Sequence, residues 1–169
     1  MRYVIRIIAM LSLAMLPSLA YAQKAVILVR HADRPEEGND PDPHLTEGGR
    51  RRAQALARTL KDAGITAIIT SNTNRTRETA EPTARLRPVS RKEINNGDQH
   101  VQEVFEDIQA RGNDAVVLYV GHSDTLEPLM QKFGHEEPVS FGDDPYGNLF
   151  LLVPKGQAPT LVRLHYPKE

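Results

Sequence analysis

The chain has 169 residues, 40% hydrophobic and 25% charged, with 21 Lys and Arg against 22 Asp and Glu and no cysteine. That length fits one domain with a sizeable core. A net charge of −1 gives no general pull on nucleic acid or anionic lipid, so no nucleic-acid partner is expected and any polyanion chemistry must come from a local basic cluster. The lack of cysteine excludes a disulfide scaffold, thiolate zinc sites, iron–sulfur clusters and a Cys nucleophile.

Residues 1–22 read as a secretory signal: Arg2 and Arg6, the apolar run Ile7 to Leu16, then Ala20-Tyr21-Ala22 as a small-x-small cleavage site. The run is shorter than the roughly 20 residues that span a bilayer, so cleavage is expected and no stable membrane insertion after it. Cleavage removes two arginines and no acid, leaving 19 basic side chains against 22 acidic and a net of −3 from Gln23 onward. Residues 23–169 are expected to form one domain, periplasmic or secreted.

Beyond Lys24, short apolar runs alternate with helical periodicity, the mark of an α/β layer fold with a mainly parallel sheet. Ala25 to Val29 suits a strand covered on both faces. A Pro-rich polar loop follows from Asp33 to His44. Thr46 can cap a helix with Ala53, Leu56, Ala57, Leu60 and Ala63 on its apolar face and Gly64 at its end. The basic run Arg50-Arg51-Arg52 reads as a solvated face of that helix. Ile65 to Thr70 is a second strand, and a helix is expected from about Arg75 to Leu86. Arg87 to Gln99 gives little beyond a short strand near Val89. Val101, Val104, Phe105 and Ile108 mark a helix closed by Gly112. Ala115 to Val120 is a third buried strand, Leu126 to Phe133 a helix ended by Gly134, and Asn148 to Val153 and Thr160 to His165 are further strands. Asp143 to Gly147 reads as a turn.

In a parallel sheet the reacting groups gather at the carboxyl ends of the strands. Here Val29 leads into Arg30-His31, Thr70 into Ser71 and then Arg75, and Val120 into Gly121-His122-Ser123. Two arginine forks beside helix amino termini suit a tetrahedral oxyanion. A neutral imidazole among them can attack phosphorus and carry the phosphoryl group, and a second histidine can stabilise the oxygens in the transition state. The scheme needs no metal and no cofactor. His44, His100, His135 and His165 read as surface or structural, since no pair has metal-ligand spacing with carboxylates.

These residues resemble the histidine phosphatase superfamily, which includes the phosphoglycerate mutases and small phosphohistidine phosphatases. Leu28-Val29-Arg30-His31-Ala32 is similar to its Leu-Val-Arg-His-Gly signature, with Ala32 at the glycine. Leu45-Thr46-Glu47-Gly48-Gly49 resembles Leu-Thr-x-x-Gly, Ser71 to Ala80 resembles Ser-x-x-x-Arg-x-x-x-Thr-Ala, and Val120 to Thr125 resembles the second histidine segment. The resemblance implies a phosphoglycerate mutase-like three-layer α/β/α sandwich. It implies that His31 is the nucleophile and that Arg30, Arg75 and His122 hold the phosphoryl group. Arg34, Ser123 and Thr125 are candidate substrate contacts. The proton donor is sought among Glu93, Asp98 and Glu103 in the loop region and Asp124 after the second histidine. Asp124 also reads as a capping box with Glu127.

The function expected is therefore an exported, metal-independent phosphatase acting on a small phosphorylated substrate through a phosphohistidine on His31. A mutase is disfavoured because an exported enzyme would not meet the cytoplasmic phosphoglycerate pool. The competing class is a phosphate-binding envelope protein of the same fold without turnover.

Overall fold

A computed structural model describes residues 23–86, 88–155 and 158–168; the signal segment expected over residues 1–22 lies outside them. Among the described residues four strand–helix pairs are followed by two further strands: β1 (Gln23–Arg30), α1 (Glu47–Thr59), β2 (Ala67–Ser71), α2 (Asn74–Ala84), β3 (Ser90–Ile94), α3 (His100–Gln109), β4 (Ala115–Gly121), α4 (Ser123–Lys132), β5 (Asn148–Val153) and β6 (Thr160–His165). They build one sheet in the order β3-β2-β4-β1-β5-β6. The first four strands in that order are parallel, while β5 and β6 run antiparallel to their neighbours.

The period of two along each strand divides the core. Val26 and Leu28 face α3 and α4, joining Tyr119, Val104, Ile108, Leu126 and Phe133. Ile27 and Val29 face α1 and α2, with Leu56, Leu60, Ala80 and Ala84. Helices on both faces make the expected three-layer sandwich, and because both faces are covered the central strands can be apolar throughout.

Several expectations shift. Helix α1 begins where expected, with Thr46 Oγ1 accepting the Gly49 N–H at 3.0 Å, but it ends at Thr59. Leu60 caps it and Gly64, at φ +69°, turns the chain toward β2. Ile65 is buried yet precedes the strand, which starts at Ala67. The poorly patterned stretch holds β3, an edge strand whose first four residues are exposed, so burial left it no apolar alternation. Helix α4 starts at Ser123 with His122 as its cap, so Asp124 stands inside the first turn rather than at the capping position. Arg52 is not on a solvated face: its side chain is 3% exposed and carries two ion pairs.

Candidate active site

The carboxyl ends of β1, β2 and β4 bring His31, Ser71 and His122 together. The His31 N–H donates to the Gly121 carbonyl at 2.9 Å, extending the β1–β4 ladder one residue beyond the strand. The two imidazoles meet edge-on, centroids 5.4 Å apart. His31 Nδ1 lies 2.8 Å from the carbonyl of Ala32. A carbonyl only accepts, so in the neutral ring Nδ1 carries the proton and Nε2 keeps the lone pair. His122 Nε2 lies 2.8 Å from Ser71 Oγ, itself 3.0 Å from the Thr76 hydroxyl.

Both imidazoles are buried and neutral. Burial pushes His31 down to about 3 against the bond that Nδ1–H donates to the Ala32 carbonyl, and the nearby His122, Arg30 and Arg75 also push it down. Burial pushes His122 down to about 4; Arg75 adds to this, and the charge of Asp124 opposes it. Arg75 enters from the first turn of α2, where Asp42 fixes it. That carboxylate accepts the Asn74 N–H at 2.9 Å and lies 3.3 Å from Arg75 Nη1. Arg34 and Arg30 are close enough to depress Arg75 electrostatically, after the larger effect of burial. Arg30 has a buried Nε with no hydrogen-bond partner, and its guanidinium lies 4.3 Å from the centre of the Tyr146 ring.

Ala32 shows why a methyl is accepted where the resemblance has glycine. No non-glycine among the described residues has positive φ, and Ala32 packs with Leu45 and Ala53. Its N–H donates to Thr79 Oγ1 at 2.8 Å, and the Thr79 hydroxyl donates to the Arg75 carbonyl at 2.7 Å, tying the His31 turn to α2. Two glycines are sterically required nearby: a Cβ on Gly49 would sit 2.2 Å from the Asp33 carbonyl oxygen, and one on Gly121 would sit 2.4 Å from the Tyr119 hydroxyl.

The other candidates separate. Asp124, in the first turn of α4, is exposed, and its charge is felt at both His122 and Arg75. Glu93 pairs with Arg77 at 3.0 Å on the outer side of α2 and β3. Asp98 and Glu103 are exposed, before and in the first turn of α3. Ser123 is exposed at the start of α4, whereas the Thr125 hydroxyl is buried, accepting the His122 N–H at 3.0 Å. His100 is buried, its Nε2 2.8 Å from the Tyr119 hydroxyl. Sequence reasoning missed Tyr146, Asp42 and Arg52. The first two lie in polar loops without periodicity, and the third of three consecutive arginines carries no sign that it alone is buried.

These elements define an α/β/α protein with a basic, two-histidine cluster at the carboxyl edge of its parallel strands. A family model described as the histidine phosphatase superfamily (branch 1) matches residues 26–99. The "Probable phosphoglycerate mutase GpmB" of Cronobacter sakazakii is 47% identical over 62 residues, covering 33% of this chain and 28% of that protein, so the match spans just over a quarter of the relative's length. Among solved structures, the protein histidine phosphatase SixA complexed with tungstate superposes with a TM-score of 0.69 at 22% identity, over 83% of this chain and 96% of that one. YhfR of Bacillus stearothermophilus gives 0.65 at 21% identity over 83% and 96%. At those identities the structures show the shared phosphoglycerate mutase-like fold. The amino-terminal part of the domain, residues 26–99, is thus similar in sequence to the histidine phosphatase superfamily, and the whole domain shares the fold of these solved structures.

Proposed function

We propose that this protein is an exported phosphatase that hydrolyses small phosphate esters through a phosphohistidine on His31. The observation that carries the reading is the state of His31: buried, neutral, with its proton on Nδ1, beside a second neutral imidazole and two arginines. In the first step Nε2 attacks phosphorus, the P–N bond forms and the P–O ester bond breaks. The leaving oxygen takes a proton from the protonated carboxyl of Asp124, which stands two residues past His122 in the first turn of α4. In the second step water attacks phosphorus, the P–N bond breaks, the water proton returns to Asp124 and inorganic phosphate leaves. Arg30, Arg75 and His122 hold the three non-bridging oxygens. A dianion beside His122 favours its protonated form, so the ring becomes a stronger donor once substrate is bound. Arg34 and Ser123 meet the part of the substrate beyond its phosphate.

The two arginines are hostile to a divalent cation, and the chemistry needs none. Export rests on Arg2, Arg6, the Ile7 to Leu16 run and Ala20-Tyr21-Ala22; among the described residues no helix is long and apolar enough to cross a membrane. Ala32 lends no support to a phosphate-binding protein without turnover, since its backbone is one that any residue adopts and its methyl packs inward.

The test is to trap an acid-labile phosphoenzyme with a labelled aryl phosphate, with and without chelator. Label expected on wild type and absent in His31→Ala carries the reading. A wild type that neither labels nor releases phosphate from any aryl or sugar phosphate refutes it, and label lost on chelation refutes metal independence. Asp124→Asn is expected to slow alkyl phosphates far more than p-nitrophenyl phosphate, whose leaving group needs no proton.

A further inference from the structure

Arg52 holds two carboxylates at once from the middle of α1. Its Nε donates to Asp33 Oδ2 at 2.7 Å and its Nη1 to Asp144 Oδ2 at 2.9 Å, while Lys168 Nζ donates to Asp33 Oδ1 at 2.9 Å. Burial works to raise both carboxyls, but the bonds from Arg52, with Lys168 at Asp33, outweigh it and hold both below the usual carboxylate range. An ion network around a buried arginine is a poor source of stability, because desolvation of the guanidinium offsets most of the attraction to its carboxylates. Its gain here is geometric. Asp33 is two residues past His31, and its carbonyl accepts the Thr46 N–H at 3.0 Å. Asp144 is two residues before Tyr146, whose N–H it accepts at 3.3 Å, and its carbonyl accepts from Asn148 Nδ2 at 3.1 Å. The Tyr146 ring then lies 4.3 Å from the Arg30 guanidinium carbon, with its centre 5.8 Å from that of His31. One arginine thus joins the loop behind the nucleophile to the loop that carries this ring.

We propose that Arg52 is a positioning residue, and that through Asp144 it locks Tyr146 against Arg30 as the wall that aims the guanidinium at a bound oxyanion. The inference rests on the assignment of Arg30 and His31 to an oxyanion site. A guanidinium stacked on a ring is confined to one plane, so its N–H groups are already aimed when the oxyanion arrives. Arg30 has an unpartnered buried Nε and depends on that ring for its orientation.

The test measures binding of inorganic phosphate and of tungstate by calorimetry on the purified protein, which needs no turnover. Loss of the ring in Tyr146→Ala is expected to weaken binding roughly tenfold, and Tyr146→Phe to recover most of that loss. Lysine at 52 keeps the positive charge but cannot hold two carboxylates as a fork. Arg52→Lys is therefore expected to weaken binding as Tyr146→Ala does, and the double variant to bind no worse than Tyr146→Ala alone. If Arg52→Lys does not fold, Asp144→Asn interrupts only the Tyr146 branch and should give the same loss. Wild-type affinity in Tyr146→Ala, a fully additive double variant, or an Arg52→Lys that melts lower but binds normally would each overturn the proposal. So would a wild type that binds neither anion. A wild type that binds both but never labels at His31 refutes turnover while leaving the clamp standing.

Discussion

The two buried imidazoles make a quantitative prediction about stability. An unfolded histidine titrates near 6.5, while in the fold His31 is held at about 3 and His122 at about 4. Between those values the unfolded chain binds protons that the native state refuses, so stability is greatest above the unfolded value and falls as pH drops through it. Between about pH 8 and pH 5 each ring removes roughly 2 kcal/mol, or roughly 4 for the pair. The exposed His44, raised by its bond to Glu78, runs the other way and blunts the total. Comparison with variants isolates the two rings. In urea unfolding, the stability difference between those two pH values should shrink by roughly 2 kcal/mol in His31→Asn, and again in His31→Asn/His122→Asn. A neutral His31 keeps its lone pair, so if it is the nucleophile proposed, phosphoenzyme formation should hold its plateau well below neutral pH. An unchanged pH difference in the variants, or NMR titration of His31 near 6.5, would refute the neutral-nucleophile argument.

Other substitutions probe the frame around the site. Arg75→Lys keeps the charge and loses the fork, so kcat/KM for an aryl phosphate is expected to fall about 30-fold, roughly 2 kcal/mol; a change under threefold would remove Arg75 from the oxyanion site. Ala32→Gly deletes a methyl packed on Leu45 and Ala53 and loosens the unfolded chain, so urea unfolding should show a loss of about 1–2 kcal/mol. A rate gain of tenfold in that variant would show that the methyl itself restrains His31. Gly49→Ala drives a Cβ to 2.2 Å from the Asp33 carbonyl, and a loss of about 2–3 kcal/mol is expected; unchanged melting would contradict that packing.

The architecture was legible where burial and periodicity coincide. Runs such as Ala115 to Val120 have one reading because both faces of the strand are covered, and Thr46 announces α1 through its hydroxyl. The sequence was faint where burial is absent, marking β3 only as a short strand near Val89, and misleading where a charged residue is buried, at Arg52. A strand end followed by Arg-His is visible in the chain; the Tyr146 ring set against that arginine is not, because 116 residues separate Arg30 from Tyr146 in sequence and only the antiparallel return into β5 brings them together.

That separation also bears on how a chain of slightly negative net charge would build the proposed phosphate site. Overall charge does not decide it, because the cations are partitioned by what faces them. Arg52 is matched by Asp33 and Asp144, Arg111 by Asp107, and Arg77 by Glu93, so each is neutralised where it stands. Arg75 has the single carboxylate of Asp42 at 3.3 Å, and the Arg30 guanidinium is set against an aromatic ring instead of an acid. A ring supports a guanidinium without cancelling its charge, whereas a carboxylate there would compete with the incoming phosphate for the same N–H groups. Placing Tyr146 at Arg30 and the carboxylates at Arg52 therefore leaves the positive field concentrated beside His31. The same field makes protonation of either imidazole unfavourable before substrate binds.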